Sequence, residues 1–335
     1  MKQLLLLFIA TFLVAASGQA TRIYVSPAAN GSLAGSSWAN ATSVEDALAR
    51  VVAGDEVWML QGTYPTSRTG NREASFVVPA GVQVYGGFLG SEASPTERPA
   101  GVKSILSGDI GVVGEHADNA YTVVLMLSAG NLSSILDGFV ITHGCARNFR
   151  EGFGTGSAGG GLFIQGAPGA TAAHQISNCH FTANRAHNGA AVFVSAGRPS
   201  FIACSFVYNT SDYNGGAVYN YGVGSEVSPI FNQCQFVDNG SNSGAGMTNN
   251  GTNGSASPLL LDCNFTNNVS TINGAAIYNI SNDTGRCNLV MEGCTFEGND
   301  SILGEDVSDS GVSPDYAERA RQNGGGTLRP VSVKR

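Results

Sequence analysis

The chain has 335 residues and a formal net charge of −8, with only 13% charged residues and 45 glycines. Low charge with ordinary hydrophobicity excludes a charge-rich disordered chain, and the acidic balance excludes nucleic acid as an expected partner, since phosphate backbones are held by a surplus of Lys and Arg. What remains is a turn-dense architecture with a real apolar core, sized for one large domain or two ordinary ones.

Residues 1–20 read MKQLLLLFIATFLVAASGQA. Lys2 supplies a positive start, Leu4 to Ala16 an apolar run too short to span a bilayer, and Gly18-Gln19-Ala20 the small residues of a cleavage site before Thr21. This is a signal peptide. The mature chain is expected to be secreted or held at the outer cell surface, with no transmembrane segment. Further on, Thr42-Ser43-Val44-Glu45 reads as a capping box. Val44, Ala47, Leu48, Val51 and Val52 follow on one helical face until Gly54 stops it. A short amphipathic helix over 43–53 is expected, covering the N-terminal end of the fold. The loop holding Asp109, Glu115, His116 and Asp118 reads as a solvated loop, with calcium as the alternative. No other cofactor is indicated.

From residue 136 the sequence repeats itself. Cys-x-Phe-x-x-Asn begins at Cys179, Cys204, Cys234, Cys263 and Cys294, in steps of 25, 30, 29 and 31 residues. A Gly segment follows each Asn by five or six residues: GAAVF at 189, GGAVY at 215, GAGMT at 244, GAAIY at 274 and a degenerate GEDV at 304. Divergent copies precede them in LDGFVITHG (136–144) and GGGLFI (159–164). Cys-x-Phe and Val-x-Val alternate with period 2, and Asn and Gly punctuate the runs. Each unit is therefore about three short strands with turns, unable to close a core alone. Stacked, such units give an all-β, right-handed parallel β-helix with coils about 4.8 Å apart. The expected organisation is a signal peptide at 1–20, a β-helix at 21–305 with its repeat core at 136–305, and a polar tail or cap at 306–335.

Stacking turns each repeat column into a ladder. Phe181, Phe206, Phe236, Phe265 and Phe296 should point inward, as should Cys179, Cys204, Cys234, Cys263 and Cys294. In-register stacking holds neighbouring Cβ atoms near the coil spacing, farther apart than a disulfide prefers, so free thiols filling the core are expected. Asn184, Asn209, Asn239, Asn268 and Asn299 should sit at the bend and take left-handed backbone angles. Asn220, Asn249 and Asn279 should form an inward amide ladder.

Two resemblances follow from these residues. The Phe-x-x-Asn and Gly-Gly-Ala-[Ile/Val] units resemble the repeats of the polymorphic outer membrane proteins, surface autotransporter adhesins with β-helical passengers. That family carries a C-terminal membrane barrel, which this chain is expected to lack. Residues 23–49, GDEVWMLQGTY (54–64), GVQVYGGFLGSE (81–92), SILSGDIG (104–111) and LDGFVITHG resemble the opening of bacterial extracellular β-helix proteins of the pectin-lyase-like class. That class implies a polysaccharide lyase or glycoside hydrolase as one expectation. Lyases need an Arg or Lys base with a cation, and hydrolases need paired carboxylates. Asp262 and Glu292 are the nearest carboxylate pair, but their one-residue offset places them on opposite faces. His143 before Gly144 resembles the His-Gly of some polygalacturonases, without their paired Asp residues or an Arg-x-Lys. His180 is an outward strand residue. No catalytic residue is identified.

The outward columns say more. Strand parity places Phe163, Phe193, Tyr219, Thr248 and Tyr278 on the solvent side, an aromatic stripe that Tyr213 and Tyr221 extend. Such rings suit an extended polysaccharide, and the alternative is that they pack under loops. The preferred reading is a non-catalytic secreted or cell-surface β-helix in adhesion or glycan binding, its partner a polysaccharide or a host or cell-surface protein. A structural stalk and a polysaccharide-cleaving enzyme are the alternatives.

Overall fold

The computed structural model describes residues 20–148, 153–166, 169–303, 306–310 and 332–334. The expected signal peptide and most of the expected tail lie outside the described residues. The chain winds as a right-handed parallel β-helix, the hand that a parallel crossover takes. Each full coil contributes one strand to each of four faces, named A to D in the order the chain meets them. Face A holds nine strands from Arg22–Val25 to Val290–Glu292, and face B eight from Gly62–Pro65 to Thr295–Glu297. Face C holds six from Cys145–Ala146 to Asp300–Ser301, and face D nine from Phe76–Val78 to Ser332–Lys334.

Every named strand pairing is parallel, and the repeat columns of faces B and D stack in register. Phe181, Phe206, Phe236, Phe265 and Phe296 are mutual partners along face B. Their ring centroids are 5.1, 4.8, 4.4 and 5.1 Å apart, so the rings follow the strand spacing as a near-parallel stack. Each ring contributes about 2–3 kcal/mol on burial. A second stack stands opposite on face A, where Phe201 and Phe231 lie 4.7 Å apart. The seven cysteines are free thiols. In the ladder each thiol donates to a carbonyl of the preceding coil, as Cys204 Sγ does to Ile176 O at 3.4 Å and Cys234 Sγ to Phe201 O at 3.4 Å.

The bend differs from expectation. The left-handed residue is not the ladder Asn but its predecessor: Ala183, Tyr208, Asp238 and Asn267 have φ of 53–58°. The Asn itself turns inward, because there its amide can close a hydrogen-bond chain that water would otherwise have to supply. Asn239 Nδ2 donates to Phe206 O and to Asn268 Oδ1, both at 2.9 Å. Its Oδ1 accepts from Asn209 N at 3.0 Å and Asn209 Nδ2 at 3.1 Å. The same pattern links Asn184 to Asn209 and Asn268 to Asn299. The corner before each Cys also takes left-handed residues: Asn178, Ala203, Gln233 and Asp262 at φ 50–55°. The expected second amide ladder is present on face D, where Asn220 donates to Asn249 and Asn249 to Asn279. It ends on the Asp309 carboxylate, 2.9 Å from Asn279 Nδ2.

Spacing differences between repeats have a local cause. Asn209 and Asn268 stand six residues before their glycines, the other ladder Asn residues five. The extra residue is a bulge in face C, where the register slips within Thr210–Asn214 and Val269–Asn273. Tyr213 and Ile272 lie there, 43% and 49% exposed.

At the N-terminal end, a helix at Val44–Arg50 buries Val44, Ala47 and Val51 in the main core against the first strands of faces A and D. It is shorter than expected. Ser43 rather than Thr42 is its cap, accepting from Asp46 N at 3.1 Å, and Thr42 is instead buried in a bridge to Val25. At the other end, Val307–Ser310 pairs in register with Ile277–Ile280 and Ser332–Lys334 pairs beyond it. Face D therefore continues past Gly304, where the repeat pattern fades in sequence.

Candidate functional site

The expected aromatic stripe does point away from the main core, but it is not exposed. Phe163 and Phe193 pair in register and stack at 5.0 Å, and Phe193 pairs with Tyr219. All three are buried, in an apolar cluster of their own with Ala158. The reason is a crossing segment at 153–158. Phe153 lies 5.9 Å from Phe193 and 6.3 Å from Tyr219, roofing the column. Tyr278, beyond that roof, is half-buried. The accessible rings are instead Phe153, 49% exposed, and the half-buried Tyr221, 4.7 Å apart. Tyr219 presents only its hydroxyl, which accepts from Asn250 Nδ2 at 2.9 Å. Sequence parity gave the direction of the column. It carried no signal that a segment 40 residues upstream of Phe193 covers it.

Thr155 of the same crossing segment reaches an open polar cavity of about 190 Å³, lined also by Glu73, Ser75, Tyr121 and Thr122. Ser75 Oγ donates to Thr122 O at 2.6 Å and Thr122 Oγ1 to Thr155 O at 2.8 Å, which tie the 153–158 segment to the strand ends. The Arg72 guanidinium lies 4.3 Å from the centre of the Tyr121 ring, and its Nε donates to Asn119 O at 2.7 Å. The wall thus combines one ring, several hydroxyls and the Glu73 carboxylate, with Arg72 against the Tyr121 ring.

Face C carries charge on the same side. Register aligns Ala146, Ala186 and Ser211, so Arg147, His187 and Asp212 follow one another in the next column. Arg147 pairs with Asp212 across the intervening coil, and His187 Nδ1 lies 2.6 Å from Asp212 Oδ2. Cys145 pairs with Arg185 in the column before. Burial raises the Cys145 thiol pKa, and the nearby Arg72, Arg147 and Arg185 guanidiniums oppose that rise. His116 and His143 rings lie 6.5 Å apart at the adjoining bend. Burial lowers the His116 pKa, with Arg185 and His143 adding to the effect.

The other residues singled out in the sequence fall elsewhere. The structural ladder residues Cys179, Cys204, Cys234 and Cys263 are buried and Cys294 is half-buried. His180 sits outward on face B beside Ser205, and His143 holds a left-handed bend at φ 62°. Asp262 and Glu292 meet at one corner through Asp262 N and Glu292 O, 2.8 Å apart, with both side chains exposed. Asp109 and Asp118, the pair a cation would need, each spend one oxygen on a loop N–H, from Gly114 and Val112. No group of three or more His, Cys, Asp or Glu side chains suited to a metal occurs among the described residues. No helix among them is long and apolar enough to cross a membrane. The cavity and the Arg72 contact were not legible beforehand, because residues 71–75, 119–122 and 153–155 lie outside the repeat.

No protein-family profile and no curated protein matches the sequence. Among solved structures the chain is similar to the crystal structure of pectate lyase Pel9A, with a TM-score of 0.44 and 13% identity over 81% of this chain and 76% of that one.

Proposed function

We propose that this is a secreted or cell-surface β-helix that binds glycan chains without cleaving them, at the corner between faces C and D. The observation that supports the reading is the segment 153–158, which carries Phe153 onto Tyr221 and, two residues on, Thr155 into the wall of the hydroxyl-lined cavity at Tyr121. Sugar rings present apolar C–H faces and polar edges. A site for them needs aromatic area for the one and fixed hydroxyls or carboxylates for the other. The buried column of Phe163, Phe193 and Tyr219 then serves as the rigid bed under the accessible rings. Tyr278 lies farther along face D and would extend the track. The leader at 1–20 supports export, where such polymers are met.

The test is affinity electrophoresis through gels loaded with polysaccharides. Retardation is expected, and Phe153→Ala or Tyr221→Ala should each weaken it about tenfold while leaving the unfolding temperature within a few degrees. Unchanged retardation in both variants would remove the site. A cleared zone in the gel would replace binding by catalysis, and free migration through every gel would favour the structural stalk.

A further inference from the structure

The tripeptide Asn-Gly-Ser occurs three times, at 30–32, 239–241 and 253–255. The local chemistry is the same at each place, so any difference in behaviour comes from the fold. An Asn side chain followed by Gly is open to attack by the Gly main-chain nitrogen, because glycine has no side chain to hinder the approach. The attack needs a free N–H and an amide able to swing onto it. Asn239 offers neither. It is 1% exposed, its amide lies in the inward ladder, and Gly240 N donates to Asn209 O at 2.9 Å. Asn253 is exposed but clamped. Its Oδ1 accepts from Asn282 Nδ2 at 2.6 Å and from Thr284 Oγ1 at 2.7 Å, and Gly254 N donates to Gly251 O at 2.9 Å. Asn30 is also exposed, and among the described residues no hydrogen bond holds its side-chain amide or the Gly31 N–H. Its neighbours fix only the main chain: Asn30 N donates to Ala41 O at 3.0 Å and Leu33 N to Asn30 O at 3.3 Å. Of the other Asn-Gly pairs, Asn188, Asn214 and Asn250 precede glycines whose N–H groups are bonded to Asn214 O, Ser243 O and Ile280 O.

We infer that Asn30 is a site of spontaneous modification in the folded protein, converted to aspartate and isoaspartate, while the same tripeptide is preserved at Asn239 and Asn253. The Gly31 nitrogen gives its proton to solvent base and bonds to Asn30 Cγ. The Cγ–Nδ2 bond breaks and ammonia leaves, closing a succinimide ring. Water then opens the ring. Attack at the side-chain carbonyl leaves an ordinary aspartate, and attack at the main-chain carbonyl leaves an isoaspartate, whose main chain is one carbon longer. Either product adds a negative charge. The longer one also strains the loop. A Cβ on Gly31 would lie 2.2 Å from Ala39 O and 2.6 Å from Asn40 Oδ1, so the packing leaves no slack for an added main-chain atom. Trp38 sits on the same loop, its ring 4.6 Å from Tyr24 and 5.3 Å from Phe88, so the strain is passed to the first strands of face A.

The experiment incubates the purified protein at mildly alkaline pH, folded and in denaturant, and follows the three tripeptides by peptide mapping with mass spectrometry. In denaturant all three should convert at similar rates. In the folded protein Asn30 should convert about tenfold faster than Asn253 or more, the difference that two side-chain hydrogen bonds on Asn253 set. Asn239 should stay intact. Replacing the clamp by Asn282→Ala with Thr284→Val should bring Asn253 toward the Asn30 rate, and an unreacted Asn239 in that variant shows that it is still folded. Equal conversion of Asn30 and Asn253 in the folded protein, or an Asn30 that stays intact there while the denatured chain reacts, would overturn the inference. An Asn253 rate unmoved by loss of the clamp would overturn the reason given for the contrast.

Discussion

Removing one rung of the inward Asn ladder should be far more costly than its size suggests. Asn239 is 1% exposed and takes part in four side-chain hydrogen bonds, donating to Phe206 O and Asn268 Oδ1 and accepting from Asn209 N and Nδ2. In Asn239→Ala the neighbouring amides keep other partners: Asn209 Nδ2 still reaches Phe181 O, and Asn268 Oδ1 still accepts from residue 239 N. Phe206 O and Asn209 N–H lose the partner that Asn239 supplied. At about 1–3 kcal/mol for each buried orphan, the cost is about 4 kcal/mol. Asn239→Asp keeps the acceptor but turns a second oxygen toward Phe206 O. It should therefore cost more at neutral pH than in acid, where the protonated carboxyl can donate. Chemical denaturation measures the total. Because a solenoid can open coil by coil, hydrogen exchange at Asn209 N–H should lose protection selectively. A cost below about 1 kcal/mol, or unchanged exchange at Asn209, would mean that the ladder merely accompanies the bend and does not hold it.

His174 and the thiols give two further tests. His174 is fully buried, takes a hydrogen bond from Ser134 N on Nδ1 and meets Ser128 Oγ through Nε2, and burial lowers its pKa from 6.5 to about 4. Its folded pKa is depressed, so below the unfolded value only the unfolded chain binds the proton. Stability from this group is complete above pH 6.5 and is lost as pH falls toward 4, by about 3 kcal/mol in all. Replacing His174 by Gln should flatten that part of the pH–stability curve, and an unaltered curve would refute the assignment. Burial pushes the Cys179 thiol up to about 12 and the Cys287 thiol up to about 11. Cys263 rises to about 12 chiefly through its contact with Cys234. A thiol reagent at mildly alkaline pH should therefore label none of these in the folded protein and all of them after denaturation. Rapid labelling of Cys204 or Cys234 without unfolding would contradict the stacked core.

The fold was legible because each repeat column becomes one ladder. The positions of Phe181 to Phe296, the inward Asn220, Asn249 and Asn279, and the parity of Phe193 and Tyr219 all follow from period 2 within a coil and a near-30-residue period between coils. What was lost depended on contacts between unlike segments. The roof over the aromatic column comes from Phe153, and the cavity joins Glu73, Tyr121 and Thr155 from three places outside the repeat. Which residue at a bend takes the left-handed turn was misread for a different reason. Asn tolerates that geometry, but at Asn209 and its equivalents the inward hydrogen bonds outweigh it, and Tyr208 turns instead with its side chain 63% exposed. Asp309 closes the face D amide ladder from a stretch whose polar sequence shows no repeat.

The most direct test of the account is a hydrogen-exchange footprint of the protein with and without a saturating polysaccharide that retards it. Backbone protection is expected at residues 71–75, 119–122, 153–158 and 219–222, with His180 and Gln235 on face B unchanged. Protection confined to face B, or spread evenly along the coils, would contradict a glycan site at the corner of faces C and D.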